Sequence, residues 1–310
     1  MFFLLILLSL PLLPHFIALI HVYTFQVSGQ APLPIKKGTL AVLYSGDLRE
    51  WSSLVDNNIE YVFEHIAANF AIDVYMMPKL ARETSNPTTV VGFGEGLKKI
   101  KRFLRYFMVE EADFSWDQYV RPPIGCTPPL LPGQPDIVGG WTHSFYHQFI
   151  SVYRIYQEIK RQETIQGWRY EWLIRSRMDM RWSAKPEVKL ITLDTSKIHV
   201  AERVVGLMYT ASVSDHFAIM HANIADGYLA AGNKIFQGKW CHTKEYFDPY
   251  CHVKNMTNTP PECLLARWLV DNGTQWQQHR FSFDIHKKRR LHQIDNNRKH
   301  KGLVPSLSLK

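Results

Sequence analysis

Apolar positions along the chain follow two periods in turn. Thr39-Leu40-Ala41-Val42-Leu43-Tyr44 is an apolar run of strand length that stops at Ser45-Gly46-Asp47, which predicts a buried first strand and a turn. Leu54, Val55, Ile59, Val62, Phe63, Ile66 and Phe70 then recur at helical spacing, with Ser52 and Ser53 available as caps. Ile72 to Met77 predicts a second strand, stopped by Pro78, and completes a β-α-β unit. Gly92-Phe93-Gly94-Glu95-Gly96 reads as a loop, since it fails both the dinucleotide fingerprint and the phosphate-loop ending. An amphipathic helix is predicted from about Glu95 to Val109, burying Leu97, Ile100, Phe103, Leu104 and Phe107.

Six prolines between Arg121 and Asp136 exclude regular structure and predict a surface loop. A third helix is predicted over about Thr142 to Gln162, followed by a strand at Tyr170-Glu171-Trp172-Leu173-Ile174 that runs straight into Arg175-Ser176-Arg177-Met178-Asp179. Further strands at Ile198 to Ala201 and Phe217 to Met220, and helices near Ile224 to Phe236 and Glu262 to Asp271, complete the pattern. Strands alternating with helices in this way predict an α/β fold with a Rossmann-type sheet flanked by helices. The domain is bounded at residues 38–285.

Composition refines the picture at both ends. With 46% apolar and 13% aromatic residues in 310, the chain can bury a sizeable core, so general disorder is excluded. Its formal charge of +8 is concentrated: residues 286 to 301 hold seven Lys and Arg against Asp295 alone. The remainder is close to neutral, so the tail at 286–310 reads as basic and solvated and no nucleic-acid partner is implied. At the other end the first charged side chain is Lys36. Residues 1–25 predict a signal-anchor helix that meets a membrane through residues 2–25, with 26–37 as a short stem, because a hydrocarbon core about 30 Å thick needs about 20 apolar residues. A cleaved signal peptide is the rival reading, given Pro11, Pro14 and the small residues Val27-Ser28-Gly29. Either places the domain in the lumen of the Golgi or endoplasmic reticulum, or outside the cell. The sequons at Asn255 and Asn272 agree with that compartment, as do four cysteines (126, 241, 251 and 263), for which disulfides are expected over zinc.

The candidate chemistry lies where the strand at Tyr170 ends. Arg175, Arg177 and Asp179 alternate with Ser176 and Met178, so an extended backbone projects all three on one side. Two guanidinium forks suit phosphate oxygens and a carboxylate suits a bridging divalent cation. The competing reading is an Arg–Asp ion pair that closes the sheet end. Asp215 and Glu262 are candidate acceptor-binding or general-base carboxylates. Each has a plainer alternative: a turn-forming side chain for Asp215, and a dipole-favoured acid in the first turn of a helix for Glu262.

These segments in this order resemble poorly characterised glycosyltransferase-like families of the nucleotide-diphospho-sugar (GT-A) fold. The resemblance rests on Ser45-Gly46-Asp47-Leu48-Arg49, Asp73-Val74-Tyr75, a helix containing Gln148, Trp172-Leu173-Ile174-Arg175-Ser176-Arg177-Met178-Asp179, Asp215-His216-Phe217-Ala218-Ile219 and Pro261-Glu262-Cys263-Leu264-Leu265. It covers about residues 39 to 270, and Arg-x-Arg-x-Asp is its most specific element. It implies a luminal transferase that takes a nucleotide sugar as donor and a glycan or glycoprotein hydroxyl as acceptor. Ser45, Gly46, Arg49, Arg175 and Arg177 would hold the nucleotide sugar, and Asp179 would hold Mn2+ or Mg2+. Arg177 stands where an acidic residue is usual, which sets metal dependence in question and leaves the arginines to neutralise the leaving diphosphate. Two other classes remain: a non-catalytic glycan-binding or accessory protein on the same fold, and a sulfotransferase, for which Ser45-Gly46-Asp47 is a poor phosphate loop.

Overall fold

The computed structural model describes residues 32–47, 51–79, 87–109, 137–202, 204–205, 209–211, 213–234, 251–253 and 261–285. Residues 2–25, Arg49, the proline-rich stretch, the sequon at Asn255 and the basic tail lie outside them. So do the side chains of His143, His147, Gln148, Cys126, Cys241 and Cys251. Met1–Pro34 and Ile35–Lys310 are separate units, and every helix and strand described belongs to the second. Among the described residues no helix is long and apolar enough to cross a membrane.

The chain runs through β1 (Ile35–Asp47), α1 (Trp51–Asn58, continued as a π-helix over Ile59–Ile66), β2 (Ala71–Lys79), α2 (Pro87–Ile100) and β3 (Leu104–Phe107). It continues through α3 (Ile137–Gln166), β4 (Arg169–Arg177), β5 (Met180–Trp182), β6 (Ile198–Ala201), β7 (Val204–Val205), β8 (Tyr209–Ala211) and β9 (Phe217–His221). Two short helices, α4 (Asp226–Leu229) and α5 (Ala231–Lys234), lead to β10 (Cys251–Val253), α6 (Pro261–Asp271), β11 (Trp276–His279) and β12 (Phe283–Ile285). Seven strands form one sheet in the order β11-β6-β9-β4-β1-β2-β3. β1 is parallel to both β2 and β4, and β9 is antiparallel to its neighbours β4 and β6. This is a Rossmann-like α/β sheet with one reversed strand.

Parallel strands covered on both sides should be apolar at every position, and β1 obeys. Leu40, Val42 and Tyr44 face a cluster with Trp51, Val55 and Phe63 of the α1 segment and Phe93 and Ile100 of α2. Ala41 and Leu43 face the opposite cluster with Phe149, Val152, Ile155, Tyr156 and Ile159 of α3 and Leu264, Leu265 and Leu269 of α6. Two asparagines lock the first helix to β5. Asn57 exchanges bonds with the Trp182 main chain, at 3.1 and 2.7 Å. The Asn58 amide donates to the Leu54 and Met180 carbonyls.

Four local expectations are corrected. Residues 92–96 form helix rather than loop: a Cβ at Gly96 would stand 2.9 Å from Trp51 Cδ1, and one at Gly92 2.9 Å from Ser52 Oγ. These glycines let α2 lie against α1. The predicted helix at Glu95 to Val109 ends at Ile100, and a turn held by Phe103 N–H to Ile100 O at 2.8 Å starts β3. β2 passes through Pro78 because β3 pairs with it only as far as Met76, leaving that side without need of a donor. The helix expected over Ile224 to Phe236 is the pair α4 and α5.

Candidate functional site

The chain leaves β1 toward β2 and β3 on one side, then returns to β4 on the other, so the gap between the carboxyl ends of β1 and β4 is a topological switch point. At this place the apolar face beneath α3 changes character. Leu43 pairs with Arg175 and Ser45 with Arg177 across the two strands, one step beyond Ala41 and Leu173. Residues paired in a parallel ladder share a face, so Ser45, Arg175 and Arg177 stand together. Gly46 follows at φ +120°, a backbone conformation that side chains rarely adopt, as β1 ends.

Arg175 is 1% exposed, and neither Nη1 nor Nη2 has a hydrogen-bond partner among the described residues. It lines a cavity of about 10 Å3 with Phe149, Val152, Asp215, Tyr228, Leu229 and Gly232. That volume is at the lower limit for a single water. Burial lowers the pKa of Arg175, against the opposing pull of Tyr228 and Asp215, and burial also raises that of Tyr228. Ser45 Oγ is likewise buried and unpartnered among the described residues.

Arg177 and Asp179 do not project side by side. β4 ends at Arg177, the chain turns, and the Asp179 carboxylate folds back to accept from Arg177 Nε and Nη2, both at 2.8 Å. Asp179 is fully buried. A cation on Asp179, which the resemblance implies, does not fit this arrangement, because both oxygens are engaged by a guanidinium fork.

Asp215 and Glu262, 47 positions apart in the sequence, meet here. The segment before β9 is held by Arg177 N–H donating to His216 O at 3.1 Å and by His216 N–H donating to Ser214 Oγ at 3.2 Å. Ser214 thus makes the turn bond, and Asp215 points into the protein at 4% exposure. Glu262, in the first turn of α6, is also 4% exposed. Asp215 Oδ1 lies 3.3 Å from His216 Nε2, and one ligand atom each from Asp215, His216 and Glu262 all fall within 4.8 Å of one another. Burial lowers the His216 pKa, which Asp215 raises and Arg177 and Arg175 lower further. His216, Ser214 and Tyr228 were not singled out by sequence reasoning. For His216 the adjacency to Asp215 was the available signal, and Tyr228 looked like any core aromatic.

No protein-family model and no curated protein matches the chain. Among solved structures it is similar to a glycosyltransferase involved in the glycosylation of the major capsid of PBCV-1, at 12% identity over 68% of this chain and 72% of that one, with a TM-score of 0.29. It is also similar to a nucleoside-diphosphate-sugar pyrophosphorylase from Vibrio cholerae, at 11% identity over 78% of this chain and 92% of that one, with a TM-score of 0.33. Likenesses this slight decide nothing about the chemistry, and the fold class rests on the strand order above.

Proposed function

We propose that the protein is a glycosyltransferase that takes its sugar from a nucleotide-activated donor and acts in the secretory lumen on a glycan or glycoprotein hydroxyl. The observation that carries this reading is the change of face at the switch point, where Ser45, Arg175 and Arg177 replace the apolar residues of β1 and β4. Open α/β sheets take ligands at such crevices. Arginine forks at a site screened from water favour the negative charge that develops on a departing diphosphate. Arg177 is the accessible member, with 17% of its side chain exposed, and a diphosphate would compete with Asp179 for its fork. Arg175 sits behind it as a fixed positive charge. Ser45 and Gly46 border the donor at the end of β1, with Arg49 beyond them in the chain. Asp215 and Glu262 are the carboxylates on the acceptor side.

A thermal-shift screen of the full chain against nucleoside diphosphates and nucleotide sugars tests this. A true ligand at about 100 times its dissociation constant adds about 2.7 kcal/mol. Absence of any shift from folded protein would reject the donor reading. The closed Arg177–Asp179 fork and the water-sized cavity at Arg175 favour one second reading, a non-catalytic glycan-binding protein on the same fold. In that case oligosaccharides stabilise the protein and nucleotides do not.

A further inference from the structure

Asp215, His216 and Glu262 reach one point from two separate parts of the chain. Asp215 and His216 come from the segment that enters β9, and Glu262 comes from the first turn of α6. One oxygen or nitrogen of each lies within 4.8 Å of the others. Asp215 Oδ1 lies 3.3 Å from His216 Nε2. Tetrahedral coordination at about 2.0–2.1 Å places neighbouring ligand atoms about 3.3 Å apart, so this pair already stands at the edge length of a coordination polyhedron. The third atom needs to close by about 1.5 Å at most, within the reach of a Glu side-chain rotation.

A second, independent observation lies beside the triad. Arg175, 1% exposed, lines the same cavity as Asp215, and its two Nη groups have no acceptor among the described residues. Two carboxylates and a divalent cation are neutral together, and the guanidinium then adds one positive charge. An anionic ligand or a water on the cation would supply the acceptor that Arg175 lacks among the described residues, and would balance the charge if anionic. We infer that Asp215, His216 and Glu262 form a binding site for one divalent transition-metal ion, with Arg175 directed at the oxygen ligand that completes its coordination. An imidazole in the set favours Zn2+ or another first-row transition metal over Mg2+ or Ca2+, which prefer oxygen alone, and Mn2+, which takes the two carboxylates, serves as the paramagnetic probe. Three protein ligands leave at least one position open, as in sites where the metal does chemistry rather than hold the fold. This moves the cation away from Asp179, whose two oxygens Arg177 occupies. It does not depend on the nucleotide-sugar reading.

The test is Mn2+ alone, titrated into the full chain after chelator treatment and followed by loss of the free-ion electron paramagnetic resonance signal. The expected result is one Mn2+ per chain, displaced by Zn2+. Asp215→Asn and Glu262→Gln should each weaken binding at least tenfold, whereas Asp179→Asn should leave it within about twofold. His216→Ala, at the least buried of the three positions, provides a variant that folds if a carboxylate replacement does not, with the same tenfold loss expected. Failure of the folded wild-type chain to bind Mn2+ or Zn2+ would overturn the inference. So would a loss on Asp179→Asn equal to that at the triad. Metal binding without any nucleotide response would reject the donor reading and leave this site standing.

Discussion

Replacing Arg175 by Met separates a structural arginine from one kept for a ligand. The guanidinium is 1% exposed and two of its nitrogens make no hydrogen bond among the described residues. A buried donor group left unsatisfied costs about 1–3 kcal/mol, so the two nitrogens together weigh against the fold by several kcal/mol. Attraction to Asp215, which shares the cavity, offsets part of this. Met keeps the unbranched stem among Phe149, Val152 and Leu229 and removes the charge. Removing one partner of a buried ion pair costs about 3–5 kcal/mol, whereas replacing a whole pair by apolar residues is often neutral or stabilising by about 1–4 kcal/mol. Arg175, whose two Nη groups hold no acceptor among the described residues, behaves as an unpaired charge rather than as half of such a pair. The expected net gain for Arg175→Met is about 1–3 kcal/mol. At about 2 °C per kcal/mol for a domain of this size, Tm rises by about 2–6 °C. Differential scanning fluorimetry on the full chain reads this directly, and the same samples with nucleoside diphosphates or Mn2+ should show the ligand-induced shift reduced or gone. A fall in Tm of about 2 °C or more, with ligand response intact, would refute the reasoning. It would mean that the guanidinium holds Asp215 and the α4 segment in place as part of the fold.

Other expectations come from packing and titration. A Cβ at Gly232 would run into the Phe149 carbonyl oxygen and stand 2.9 Å from its carbon, so Gly232→Ala must push α5 off α3. The loss should be about 3 kcal/mol, seen as a lower urea midpoint. Burial raises the pKa of Glu163, against Lys160 and the Tyr170 N–H that it accepts at 3.1 Å. A raised carboxyl holds its proton more tightly in the folded state, so stability is lost as pH rises through the folded value. Glu163→Gln, which keeps the acceptor, should raise Tm at pH 7 and lose that advantage near pH 4. Burial lowers the pKa of His199, His216, His221 and His279. Their contribution is complete above the unfolded value of about 6.5 and lost as pH falls, so wild-type Tm should decline between about pH 6.5 and 5. Tyr170→Phe leaves Asp73 Oδ2 and the Tyr75 hydroxyl without the bonds of 2.7 and 2.9 Å that they make to it, and should cost about 1–3 kcal/mol by urea denaturation.

Where an element buries two faces or one clear stripe, its residues declared it. The continuous apolar run Leu40 to Tyr44 became β1, and Trp172-Leu173-Ile174 became the centre of β4, because a strand covered on both sides has no polar alternation to confuse. The apolar positions of α3 fell at helical spacing for the same kind of reason. Sequence reasoning failed where a short element borrows its stability from elsewhere. Leu104 and Phe107 fit the stripe of the preceding helix, and only the partners Val74, Tyr75 and Met76 on β2 make that segment a strand. The glycines at 92 and 96 looked like a loop because their purpose, close approach to Trp51 and Ser52, is visible only with α1 beside them.

The candidate site divides along the same line. Arg175 and Arg177 were legible because they continue a strand whose apolar pattern breaks at its end, and a charged residue in a two-sided strand is a local anomaly. Their environments were not, because Met178 turns the chain so that Asp179 satisfies Arg177 while Arg175 is left without a partner among the described residues. A one-dimensional alternation rule treats those two arginines alike; the fold makes one half of an ion pair and the other a buried charge facing Asp215. Asp215 and Glu262 each had a sufficient local explanation, as turn former and helix-start acid. Glu262 keeps its place in the first turn of α6, and Ser214 takes over the turn bond expected of Asp215. Convergence of two carboxylates and an imidazole from segments 47 residues apart is a property of the sheet order, which places β9 beside β4 and α6 over the same face. Local roles account for where each residue lies in the chain, but not for burying a guanidinium whose two Nη groups have no acceptor among the described residues. That arrangement costs stability unless a ligand completes it, which is the physical ground for reading this end of the sheet as a site.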